Sequence, residues 1–123
     1  MKPAPRLWVV SVKLIGPNDA RAVHAVIDTG ANTSLMPPEI LRAIGCDPAL
    51  SKERIGILTA SGSESGVVVR VPEIIALDHR VRDLEILSHA LPGGRIDGVL
   101  GMDFLLHIPD FQVLDKRFQE FFV

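Results

Sequence analysis

The 123-residue chain has one cysteine, Cys46, and no tyrosine. A single cysteine excludes an intrachain disulfide framework, so packing has to hold the fold. The lone thiol also fits a reducing compartment, and a cytoplasmic protein is the expectation. Aromatic residues are scarce, with one Trp and five Phe, which argues against a surface that stacks nucleic-acid bases. No charge of one sign dominates. Thirteen basic and fifteen acidic side chains give a net charge of −2, and the two signs are interspersed. That pattern gives no basic stripe for nucleic acid or for an anionic membrane surface. No apolar run approaches the roughly 18 residues of a membrane-spanning helix. Residues 1–6 carry positive charge but lack the apolar stretch of a secretory signal. Apolar side chains, by contrast, are plentiful at 47%. The length suits one folding unit with its own core, expected to span residues 1–123.

Residues 6–15 alternate, with Trp8, Val10, Val12 and Leu14 on one face and Leu7, Val9, Ser11, Lys13 and Ile15 on the other. That period of two predicts a strand with one buried face. Gly16-Pro17-Asn18-Asp19 predicts a turn, and residues 21–28 the return strand of a hairpin. Pro37-Pro38-Glu39 opens a short helix, since Pro suits the first helical position and Glu the first turn. Ile40, Leu41 and Ile44 form its apolar stripe, with Gly45 as the C-terminal cap. A second hairpin is expected from arms 55–60 and 67–71 around the small-residue tip Ser61-Gly62-Ser63-Glu64-Ser65-Gly66. Pro72 is expected to demote the next stretch to an edge or a bend. Further strands are expected at 74–77 and 81–90, joined near Asp78-His79-Arg80, then a loop at 91–95 and a strand at 96–100. Residues 101–107 have helical spacing, with Met102, Leu105 and Leu106 grouped on one side. Closing strands are expected at 111–114 and 118–123. Many short strands with one or two short helices predict an all-β, closed or barrel-like architecture.

Ile27-Asp28-Thr29-Gly30-Ala31 stands out, and Asp-Thr-Gly occurs once in the chain. It comes after an apolar strand, so Asp28 would present a carboxylate where the strand ends. Gly30 would let the backbone turn sharply beside it. A weak internal echo exists: Ile96-Asp97-Gly98-Val99-Leu100-Gly101 is likewise an apolar strand running into glycine, with a helix-like segment after it. Taken alone, Asp28 could be a turn residue, with Gly30 supplying a positive φ. Three further features support a functional reading. They are the preceding apolar strand, the pattern of two apolar residues and glycine at Val99-Leu100-Gly101, and the small-residue hairpin between the two motifs.

In these residues the sequence resembles the retropepsin-like aspartic peptidases, the single-lobe, retroviral-type branch, over residues 6–123. The resemblance implies an endopeptidase that hydrolyses peptide bonds with water activated between two Asp28 carboxylates. A chain with one such Asp would need a homodimer to supply both. Asp28, Thr29 and Gly30 would form the catalytic loop, with the Thr29 hydroxyl bonding across the two-fold axis. Ala31, Asn32, Val99 and Leu100 would contact substrate, together with Ala60, Ser61, Gly62 and Ser63 of a covering flap. The expected partners are a second copy of the chain and a polypeptide substrate, with no nucleic acid and no membrane. Two departures bear on this. Asn32 stands where viral relatives often carry Asp, and the hairpin tip is rich in serine, with Glu64 in place of glycine. Aromatic residues at Phe118, Phe121 and Phe122, with Val123, would suit either a core or a dimer interface. An alternative is a catalytically silent fold of this type, acting as a dimerisation or peptide-binding module. A third reading is a domain released from a larger, self-processing precursor, with which the start at residues 1–5 is compatible.

The remaining candidates read as structural. Asp97 lacks the Thr and Ala context of Asp28. Asp103 suits a helix start or a backbone hydrogen bond rather than chemistry. His24, His79, His89 and His107 show no metal-ligand spacing with one another or with Cys46. No metal and no cofactor are therefore expected. Ser61, Ser63 and Ser65 lack the pattern around a serine nucleophile. Cys46 reads as a small apolar filler beside the helix end.

Overall fold

The computed structural model describes residues 8–59, 62–91, 94 and 96–109, and ten elements, mostly strands, occur among them. Ala60, Ser61 and the expected strands at 111–114 and 118–123 lie outside the described residues, as do the C-terminal phenylalanines. For residues 56–59 and 62–65 the backbone alone is described.

Strand β1 (Val9–Ile15) and strand β2 (Ala20–Ile27) form the expected hairpin, in register from Val9 opposite Val26 to Ile15 opposite Ala20. Alternation decides which face is buried: Val12 and Leu14 are fully enclosed, Trp8 and Val10 pack against the core, and Ser11 and Lys13 are exposed. The turn is closed by the Gly16 N–H donating to the Asp19 carbonyl. The Asp19 carboxyl is held below its ordinary value, first by the Ala20 N–H and then by the Arg21 side chain.

A two-residue strand, β3 (Leu35–Met36), leads into helix α1 (Pro38–Ala43). Leu41 and Ile44 are fully enclosed and Ile40 packs against the core, as the stripe requires. Gly45, with φ +93°, ends the helix. Next comes a 3-10 turn at Pro48–Leu50, capped by the Asp47 carboxylate, which accepts from the Ala49 N–H. Cys46 is buried, and burial pushes its thiol pKa up. A buried, protonated thiol is a poor nucleophile. Alkylation of the native protein by iodoacetamide is therefore expected to be much slower than in denaturant; equal rates would show that Cys46 is open to solvent.

Strands β4 (Arg54–Thr59) and β5 (Gly62–Ala76) form the second hairpin. β5 is longer than expected and runs straight through Pro72, and residues 73–75 pair on both sides, contrary to the expected edge or bend. Its edge partner changes there, from β4 up to Val67 to β1 from Glu73 onward. Against strand β6 (His79–Ser88) the register is kept on both sides, Val71 opposite Leu84 and Glu73 opposite Arg82. The missing proline donor thus falls at a gap in the ladder, opposite Asp83 with φ +53°. The β5–β6 turn is Leu77-Asp78, both at positive φ, which suits the twist of a two-residue hairpin. It lies slightly before the expected join because apolar Leu77 reads as strand.

Strand β7 (Gly98–Leu100) and helix α2 (Met102–Leu105) complete the described elements. In α2, Phe104 and Leu105 are fully enclosed and Met102 packs against the core, whereas Leu106 is 67% exposed. The core face therefore includes Phe104 in place of the expected Leu106. The sheet order is β1-β2-β7-β3-β6-β5-β4, and β1 also pairs with β5. That pairing closes β1, β2, β7, β3, β6 and β5 into a barrel, with β4 projecting on the edge of β5. The all-β, barrel-like architecture expected from the sequence is the one observed.

Candidate active site

The internal echo has a structural meaning: the two similar segments lie side by side. β2 and β7 pair in parallel, with Ala25, Val26 and Ile27 opposite Gly98, Val99 and Leu100. At the start of β7, Asp97 exchanges bonds with His24, its Oδ2 accepting the His24 N–H at 2.8 Å and its N–H reaching the His24 carbonyl at 2.8 Å. Both strands end at the same level. There β2 runs out into Asp28-Thr29-Gly30, all three exposed.

The loop is shaped by its own backbone. The Asp28 N–H donates to the Leu100 carbonyl (3.0 Å), which anchors the loop to the end of β7. The Gly30 N–H donates to Asp28 Oδ1 (2.9 Å), and the Ala31 N–H to the Asp28 carbonyl (3.2 Å). The carboxylate is thus oriented by the turn just after it while its surroundings remain open to solvent. Ala31 is half-buried and Asn32 exposed beside it. Their carbonyls are used internally, accepting from the N–H groups of Met102 (2.8 Å) and Asp103 (3.1 Å).

The other expected contact residues are placed unevenly. Val99 is 9% exposed and Leu100 is fully enclosed. Leu100 therefore offers the loop its carbonyl, while its side chain belongs to the core. Gly62 and Ser63 begin β5 opposite Thr59 and Leu58.

Gly101 is required by close approach. A Cβ there would stand 2.8 Å from the Ala31 carbonyl oxygen and 3.0 Å from the Thr33 carbonyl carbon. Both obstacles are backbone of the segment that follows Asp28, so neither can swing aside. Gly101→Ala is expected to cost about 1–3 kcal/mol and to displace residues 31–33. Urea unfolding checks the first effect and amide shifts of those residues the second.

Ser34 carries no signal in the sequence, yet it is fully enclosed. Its hydroxyl donates to Asp103 Oδ1 (2.6 Å) and accepts the Gly101 N–H (2.9 Å), and its own N–H donates to Asp103 Oδ2 (2.9 Å). Asp103 Oδ1 also takes the Phe104 N–H at 2.8 Å, the helix-start role expected of it. Among the described residues no group of three His, Cys, Asp or Glu side chains could hold a metal ion.

A closed barrel with a glycine-shaped carboxylate loop braced by a second strand-and-glycine motif defines an aspartic-protease type of domain. Residues 17–107 match the family model described as "gag-polyprotein putative aspartyl protease", and the chain belongs to that family. Its fold is similar to the crystal structure of a retropepsin-like aspartic protease from Rickettsia conorii, with TM-score 0.62 and 17% identity, covering 83% of this chain and 79% of that one. At that identity the likeness speaks for the fold. No curated protein matches the chain.

Proposed function

We propose that the protein is an aspartic endopeptidase whose catalytic centre forms between two copies of the chain, each contributing Asp28. The observation that carries this reading is the exposed Asp28 carboxylate, oriented by the Gly30 N–H at the end of a braced strand. Aspartic-protease chemistry needs two carboxylates, and Asp-Thr-Gly occurs once here. Two such groups about 3 Å apart cannot both ionise, so the pair shares one proton. The ionised member takes a proton from a water held between them as the water oxygen bonds to the scissile carbonyl carbon. The protonated member donates to the carbonyl oxygen as negative charge develops there. Collapse of the tetrahedral intermediate breaks the C–N bond. The leaving nitrogen takes a proton from the pair, which returns to its starting state. No covalent enzyme intermediate is required.

In this reading Thr29 joins the two loops across the axis, Ala31 and Asn32 border the substrate, and the β4–β5 hairpin covers it. The test is cleavage of a peptide library at mildly acidic pH by wild type and Asp28→Asn. Equal turnover by the two would remove Asp28 from the mechanism. Peptide binding without turnover, unaffected by the substitution, would favour a silent binding module.

A further inference from the structure

We propose that Ser34 and Asp103 are positioning residues that set the place of the Asp28 carboxylate, an inference that rests on the catalytic reading of Asp28. The segment from Asp28 to Ser34 leaves β2 and re-enters the sheet through a strand of two residues, Leu35–Met36. So short a ladder gives the segment little support at its far end. The support comes from the start of α2. Met102 and Asp103 donate their N–H groups to the Ala31 and Asn32 carbonyls. Ser34 then locks the end of the segment through its hydroxyl and N–H to the two Asp103 oxygens, and through the Gly101 N–H to its own oxygen.

The chemistry of this lock is specific. Both Asp103 oxygens act as acceptors, which a carboxylate can provide and an amide cannot. In Asp103→Asn an NH2 group would face either the Ser34 N–H or the Ser34 hydroxyl and Phe104 N–H. The Ser34 hydroxyl is donor and acceptor at once, so Ser34→Ala leaves the enclosed Gly101 N–H and Asp103 Oδ1 each short of a partner. Such losses shift the backbone that carries them. Here that backbone leads through Thr33, Asn32 and Ala31 directly to Asp28. Catalytic groups tolerate little displacement, since an error of about 1 Å can cost about 100-fold in rate. Neither Ser34 nor Asp103 needs to touch substrate for this effect.

The test compares wild type, Ser34→Ala, Ser34→Thr, Asp103→Asn and Asp28→Asn. Each is assayed well below its melting temperature and at a concentration where sedimentation gives the wild-type species. For Ser34→Ala, kcat is expected to fall about 10- to 100-fold while KM stays within about two-fold. The pH limbs of kcat should also move, because the spacing of the two Asp28 groups sets them. Ser34→Thr, which keeps the hydroxyl, should restore kcat; Asp103→Asn should behave as Ser34→Ala. Amide exchange of residues 28–34 should quicken in the impaired variants while β1, β2, β5 and β6 keep their protection. Unchanged kcat and unchanged exchange at 28–34 would overturn the proposal. So would exchange that quickens uniformly over the barrel, because the role would then be general stability. If Asp28→Asn cleaves as well as wild type, the catalytic reading fails, whereas the exchange data still decide whether Ser34 and Asp103 hold the loop.

Discussion

Asp28→Asn is expected to abolish cleavage, with a loss in kcat of at least about 10²- to 10⁴-fold. The fold should be spared. Asp28 is exposed, and the Asn side-chain oxygen can still accept the Gly30 N–H that now reaches Oδ1 at 2.9 Å. Unfolding free energy should stay within about 0.5 kcal/mol of wild type, as for surface substitutions away from special features. In the proposed mechanism, what disappears is a carboxyl group able to accept and donate a proton during the cycle. The proposed two-chain centre makes a second, sharper expectation. When wild type and Asp28→Asn subunits are mixed and allowed to exchange at fixed total concentration, an inactive mixed dimer makes activity scale as the square of the wild-type fraction. A strictly linear fall would mean that each chain works alone, and the shared-proton mechanism would be wrong. Dilution gives an independent check, because specific activity should drop once subunits separate.

How much of the site is legible in the sequence depends on the distance over which its parts communicate. β1, β2 and α1 arise from periods of two and 3.6 with proline and glycine at their ends, all local signals. The resemblance between residues 27–30 and 96–101 is also visible in the sequence. It corresponds to a parallel pair of strands, Ile27 beside Leu100. β3 is not legible, because two residues have no period. At Pro72 propensity favours a break in β5; the change of edge partner that tolerates the proline comes from tertiary pairing. The Ser34–Asp103 contact joins residues 69 positions apart. Neither residue type is unusual on its own segment, and the only advance signal is an acidic residue in the first turn of a helix.

Phe104→Ala tests the element that carries that contact. α2 has four residues, far too few to be helical by itself. Its place must come from tertiary packing, and Phe104 heads the largest fully enclosed side chains. Truncation to Ala is expected to cost about 3–5 kcal/mol, a large share of the roughly 5–15 kcal/mol that stabilises a typical domain. The urea midpoint should fall accordingly, and the melting temperature by roughly 10–20 °C. The matched control is Leu106→Ala. Helical spacing alone groups Leu106 with Met102 and Leu105, yet Leu106 is 67% exposed while Phe104 is 0% exposed. A change within about 0.5 kcal/mol is expected for Leu106→Ala. Comparable losses in the two variants would mean that the helix is rotated from the phase described. Asp103 would then no longer face Ser34. The pair of substitutions therefore tests, through stability alone, the same orientation on which the placement of the Asp28 loop depends.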